Sequence, residues 1–230
     1  MPNHITNRLS VEGGSASVAA FFSQIGGDEG IIDFNQIIPM PPSLNIESGS
    51  RSTRGLQLYK EYCELQEAIA GMGSLLGISP ETSKAAVLLR KYEEVQEEDP
   101  ELWELGKQCY ENLRDYGAAT WYEWATRTWG TKWNAFGQER LNESTIQFQT
   151  AWSGIPTLIG TLSAQYPELR FTYAYADEDF GNNIGEFEFE NGEAVYSYCP
   201  DNGSPDAFKL ARQLLGPVSR MEDLEMEEMQ

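Results

Sequence analysis

Three segments of this chain alternate apolar and polar side chains with a period of two, and in each of them only one side is apolar. Residues 4–11 set Ile5, Leu9 and Val11 against His4, Thr6, Arg8 and Ser10. Residues 144–152 set Ile146, Phe148, Thr150 and Trp152 against Gln147 and Gln149, and residues 169–176 set Leu169, Phe171, Tyr173 and Tyr175 against Arg170 and Thr172. Strands of a parallel sheet are covered on both faces and read as continuous apolar runs, so one-sided strands predict an antiparallel sheet. Helical spacing lies between them. Ser15 opens a run with Val18, Phe21, Phe22 and Ile25 at helical intervals before Gly26-Gly27, and Pro156 starts a second, shorter helix. A further strand is expected over residues 31–38, closed by the sequence PMPPS.

Two strand-helix-strand units of this kind predict an α+β fold, a ferredoxin-like antiparallel sheet with helices on one face. Beyond them, Asn191-Gly192 is a strong hairpin signal, with Phe187 and Phe189 inward and Glu186, Glu188 and Glu190 outward. Ser204 or Asp206 then caps a last helix running to Leu215. The sheet face opposite the helices is left polar. His4, Thr6, Arg8, Gln147, Gln149, Arg170 and the three glutamates are its expected members, an open face suited to a partner.

Between the two halves the period changes. Residues 45–55, rich in Ser, Gly and Arg, read as a mobile loop, and residues 56–72, 79–96 and 100–116 each support a helix, the second entered through Ser79-Pro80-Glu81. The expected organisation is a single domain over residues 1–216, interrupted by a helical insertion at about 55–117, and an acidic tail over 217–230 that is expected to be disordered.

Sixteen basic residues against 36 acidic ones give a net charge of −20. Duplex binding depends on Lys and Arg displacing counterions from phosphate, so direct nucleic-acid binding is not expected, and anionic membranes would repel the chain too. No apolar run approaches the roughly 18 residues of a membrane span. Cys63, Cys109 and Cys199 are far apart and odd in number, and residues 1–13 lack the pattern of a secretory leader; together they lead us to expect free thiols and a cytoplasmic protein. The acid is concentrated in residues 93–104, 177–193 and 222–228. Such a surface suits a basic protein partner, and at its extreme imitates nucleic acid, which carries about one charge per 1.7 Å of duplex axis.

Signatures of chemistry are sparse. There is no GxxxxGK[ST], no GxGxxG and no GxSxG, and a single histidine, His4, gives little support to a nucleophilic triad and none to a histidine-rich metal site. The string DEDFGNNIGEFE over residues 177–188 carries carboxylates at positions 1, 3 and 12 of a calcium-type loop, but Gly181 stands at position 5 and Asn182 at position 6, where glycine is required. It reads as an acidic turn. We therefore expect neither metal nor cofactor, and a role that is more binding than catalytic. Four of the six tryptophans lie between Trp121 and Trp133. Trp121 and Trp124 fit a helix face. Trp129, Lys132, Trp133 and Asn134, with Trp152, are the candidate residues of a small-ligand site, where rings would stack and Lys and Asn would donate hydrogen bonds.

PNHITNRLSVEG at the start, DFNQIIPMP from Asp33, WGTKWNAF from Trp129 and FQTAWSGIP from Phe148 resemble, in that order and spacing, the YubB-like family. The resemblance implies a ferredoxin-like fold and an origin on conjugative plasmids, phages or other mobile elements, and it brings no catalytic residue with it. The functional expectation is thus an accessory protein of a mobile element that binds another protein through its acidic surface, nucleic-acid mimicry and counter-defence being one version. The alternative is a small-ligand module built on the loop 129–134.

Overall fold

The computed structural model describes residues 3–27, 30–76 and 84–216; the expected acidic tail and the Ser79-Pro80-Glu81 helix start lie outside the described residues. In chain order the elements are β1 (His4–Glu12), α1 (Ser15–Ile25), α2 (Phe34–Ile37), α3 (Ser50–Leu76), α4 (Lys84–Glu98), α5 (Pro100–Tyr116), α6 (Trp121–Thr128), β2 (Phe136–Asn142), β3 (Thr145–Ala151), α7 (Pro156–Gln165), β4 (Arg170–Asp177), β5 (Ile184–Glu190), β6 (Glu193–Tyr198) and α8 (Pro205–Leu215). They form two compact units, one of residues 1–39 and 125–230, the other Met40–Trp124.

The first unit is built on a sheet of order β2-β3-β1-β4-β5-β6, antiparallel at every junction. β1 lies between β3 and β4, so the chain leaves β3, runs through α7 and returns to β4 on the far side of β1. With α1 in the first crossover this is the split βαβ order of a ferredoxin-like fold, to which the β5-β6 hairpin adds two strands. Its turn, Asn191-Gly192, has φ values of 48° and 84°, the pair of positive angles that a tight hairpin of right-twisted strands requires.

The core lies against one face of the sheet. Ile5, Leu9 and Val11 of β1, Ile146 and Phe148 of β3 and Phe171 and Tyr173 of β4 are buried there beneath α1 and α7. Phe21 of α1 meets the Phe171 ring edge-on at 5.3 Å. The same face holds a polar residue at its centre. Asn7, fully buried, donates to the Thr150 hydroxyl at 2.9 Å and accepts from the Tyr173 hydroxyl, which in turn accepts from the Ile155 amide at 2.7 Å. The Thr150 hydroxyl in turn donates a hydrogen bond to the Ser153 carbonyl at 2.7 Å. The network ties the turn after β3 to the sheet and satisfies every polar group it buries. Burial raises the Tyr173 phenol well above its ordinary pKa, so it stays a donor.

Residues 31–38 are not a strand. Asp33 accepts from the Asn35 amide at 2.9 Å and caps the short helix α2, which turns Phe34 and Ile37 into the core. Alternation gives way here to a helix cap, which a β-rich composition masks. The strand that completes this half of the sheet, on the outer edge of β3, is instead β2, FGQERLN. It is an edge strand with two register shifts and mostly exposed residues, so it carries no one-sided pattern.

α8 corrects the expectation that one sheet face stays open. Ser204 caps it, accepting from the Ala207 amide at 3.1 Å, and its buried Ala207, Leu210, Ala211 and Leu214 pack on Ala176 and Ile184, on the side away from α1 and α7. Arg8, which points to that side, donates to the carbonyls of Gln213 and Leu214, both at 3.1 Å. A guanidinium at a helix C-terminus satisfies orphan carbonyls and complements the dipole. Arg8 is therefore a helix cap rather than a member of an open face.

In the second unit α3 and α5 pack closely. Gly55 and Gly106 face one another so tightly that a β-carbon on Gly106 would run into the Gly55 backbone. Trp103 meets Tyr59 and Tyr62 edge-on at 5.4 and 5.0 Å. Asp99 caps α5, accepting from the Leu102 amide at 3.0 Å, and Gly117 ends it with φ of 68°. Part of the expected loop 45–55 is helix, because Ser52 and Thr53 bond back to Gly49 and start α3 at Ser50. Burial pushes the Cys109 thiol up to about 11. It is an inert packing residue.

Candidate functional site

The loop after α6 separates its residues into two groups. Trp129 is 4% exposed, and its indole N–H donates to the Ile38 carbonyl at 2.9 Å while its ring meets Phe34 at 5.8 Å. Thr131 bonds both ways with Ala151, donating at 2.8 Å and accepting at 3.1 Å, which fastens the loop to the end of β3. Asn134 accepts from the amides of Phe34 and Ala135 at 2.9 Å each and donates to Asp33 at 2.6 Å. Nearby, Gln138 accepts from the amides of Ile31 and Ile32 and donates to the carbonyls of Ile32 and Ala135. The strings DFNQ and WNAFGQ are two halves of one interlock. Burial raises the Asp33 carboxyl, but hydrogen bonds from Asn35, Asn134 and Gln36 outweigh it and hold it below the usual range. Trp129 and Asn134 are thus occupied inside the unit.

The second group faces outward. The Lys132 ammonium stands 4.8 Å from the centre of the Trp133 ring and 4.9 Å from that of Trp152, between two indoles. Trp133 meets Phe136 at 6.3 Å, and Phe136 meets His4 at 5.2 Å, so an aromatic ledge runs from the loop onto β1. Alternation predicts Trp152 inward with Phe148 and Thr150. It lies instead one residue past β3, with φ of 71°, and is 42% exposed. A bulky residue with positive φ is costly and is held only by its surroundings. Here its amide donates to the Asn3 carbonyl at 2.9 Å, and its carbonyl accepts from Asn183 at 3.0 Å.

Glu186, Glu188 and Glu190 point to the same side of the sheet as α8, as alternation predicts, beside Thr172 and Arg170 of β4 and Tyr196 and Tyr198 of β6. Arg170 pairs with Glu188 at 2.5 Å and with Glu190 at 3.2 Å, both pairs being solvent-exposed. Tyr196 donates to Glu186 at 2.7 Å and Tyr198 to Asp206 at 2.9 Å, and these bonds to carboxylates raise both phenols. Thr172, Glu186, Glu188 and Tyr196 line a shallow concavity of about 290 Å³. The tyrosines are absent from the expected site, because an unbroken two-residue hairpin pairs Val195 and Ser197 with Glu188 and Glu186; the register shift between Glu188 and Phe189 brings Tyr196 and Tyr198 opposite these glutamates instead.

Asp177, first residue of the calcium-like string, accepts from Asn3, Asn183 and the Asp179 amide, and this holds the turn after β4. Among the described residues no group of three or more His, Cys, Asp or Glu side chains is placed to hold a metal ion, and no helix is long and apolar enough to cross a membrane.

No curated protein compared with the chain matches it. A crystal structure of protein api92 from Yersinia pseudotuberculosis aligns with a TM-score of 0.41 and 14% identity, covering 89% of this chain and 100% of that one. Residues 128–217, which span β2 to α8, match the family model described as the ferredoxin-like domain in Api92-like protein, and this stretch of the chain is similar to that domain.

Proposed function

We propose that this protein is a non-enzymatic binding protein that holds a basic protein partner on the acidic face of its β4-β6 region. One observation carries the reading. Glu186, Glu188 and Glu190 stand in register on one side of β5, beside exposed tyrosines and clear of α8's apolar contacts, around a concavity with a carboxylate-rich lining. Carboxylates attract Lys and Arg at long range, and tyrosine rings take their aliphatic stems and cations at short range. Arg170 neutralises only part of this acid. The motif resemblance to YubB-like proteins of mobile elements fits an accessory role of this kind. Binding to a lysine homopolymer tests the proposal: affinity falls steeply as salt rises, and the double variant Glu186→Gln/Glu188→Gln weakens it. Equal affinity of the variant and the parent overturns it.

A second reading, a small-ligand site at the Lys132, Trp133 and Trp152 ledge, is favoured by the positive φ of an exposed tryptophan. Backbone strain at an outward-facing aromatic is often kept for recognition. Quenching of indole fluorescence by planar or sugar ligands, lost in Trp152→Gly, is its test.

A further inference from the structure

We infer that β6 is a strand-addition site, at which an extended, basic segment of a partner polypeptide pairs with the sheet edge as a seventh strand. The inference rests on the acidic-face reading above and specifies how the partner lies.

All six residues of β6 are exposed, and among the described residues β6 ends the sheet. Sheet edges left open invite pairing unless charged side chains, proline, a bulge or a covering element blunts them. EAVYSY contains no lysine or proline and one charge, Glu193, and its single bulge, at Val195, precedes the regular stretch Tyr196 to Tyr198; Val195, Tyr196 and Tyr198 are 53%, 43% and 38% exposed. The register shifts once, so that Val195 lies between the residue pairs Phe189–Ala194 and Glu188–Tyr196, and Tyr196 to Tyr198 keep their alternation. An added strand would lie about 4.8 Å beyond β6, with its side chains alternating between the two faces.

Those two faces differ. On one, Pro156, Gly160 and Ala164 of α7 and Phe189, Gly192 and Ala194 of the hairpin line a mostly apolar groove of about 610 Å³. On the other lie the glutamates and the two tyrosines. A strand fitting both would carry apolar side chains at every second position and Lys or Arg between them, with main-chain hydrogen bonds giving affinity and the two rows giving specificity. Charge sets the choice of occupant. A second copy would bring a further −20 and another row of glutamates to the same edge, whereas a basic strand meets Glu186, Glu188, Glu190 and Glu193 with complementary charge.

The test uses the full chain and synthetic peptides at low salt. The heptapeptide of alternating lysine and valine is compared with a block peptide of the same composition and with two versions N-methylated along either edge. The inference expects the alternating peptide to bind at least about tenfold more tightly than the block peptide. It also expects slowed amide exchange in β6 and loss of binding in the version methylated along the pairing edge. Equal binding of all four peptides overturns strand addition and leaves the electrostatic reading standing. No binding of any of them overturns both. Slowed exchange in β6 that grows with protein concentration in the absence of peptide assigns the edge to self-association and also overturns the inference.

Discussion

Asn7 shows how much a single inward polar side chain can determine. It occupies the middle of β1, a strand paired on both edges, and its amide group joins β1, β3 and the start of α7 through Thr150 and Tyr173. Replacing Tyr173 by Phe keeps the ring and removes the hydroxyl, leaving the Asn7 oxygen and the Ile155 amide unpaired. Chemical denaturation should show a loss of about 1–3 kcal/mol. Trp152 is the opposite case, a side chain whose backbone is strained. Trp152→Gly relieves a positive φ and removes one indole from Lys132. The two effects are each on the order of 1 kcal/mol and oppose one another, so stability should change little while any ledge ligand is lost. A large destabilisation would mean that the tryptophan is there for packing.

At the scale of elements, caps decide what periodicity leaves open. Asp33 turns an apparent strand into α2, and its carboxyl is held below the ordinary range by hydrogen bonds that outweigh its burial. A lowered folded value means that the ionised form stabilises the fold above the unfolded carboxylate pKa of about 3.9, and that this is lost as pH falls through the folded value. Asp33→Ala should therefore cost about 0.5–2 kcal/mol at neutral pH, and the stability curves of variant and parent should converge on acidification below about pH 4. In the second unit, Gly106→Ala should separate α3 from α5 and lower the melting temperature of that unit, since the Gly55 backbone has no room to yield.

These elements also show what can be read from the chain alone. β1, β3, β4 and β5 are legible because each strand pattern marks an inward side, the turn into β6 because Asn191-Gly192 suits the positive φ angles it adopts, and Ser204 because a helix cap needs its residue type. β2 is not, being polar on both sides. Nor is the docking of α8 on the glutamine- and arginine-bearing face. Arg8 looks like a solvated charge until two carbonyls of a distant helix are brought to it. Of the candidate residues, Lys132, Trp133 and Trp152 share one ledge and the three glutamates share one sheet face, while Trp129 and Asn134 serve the interlock with residues 33–38. A binding residue and a buried anchor have the same composition, and only the partner that folding supplies tells them apart.

Across the whole molecule, 36 acidic residues stand against 16 basic ones. A net charge of −20 gives a long-range field that favours cationic partners and is screened beyond about 8–10 Å at physiological salt. The field alone does not choose between acidic regions. Glu93, Glu94, Glu97, Glu98, Glu101 and Glu104 of the second unit are exposed as well, on the helices α4 and α5. The β4-β6 face adds tyrosine rings, a concavity and an open strand edge to its carboxylates. Residue-resolved amide chemical shifts, followed while oligolysine is titrated into the full chain at low salt, test this choice most directly. The account predicts shifts centred on Thr172, Glu186, Glu188, Tyr196 and Tyr198 that collapse at high salt. Shifts centred on Glu93 to Glu104, with β5 and β6 unmoved, would contradict it.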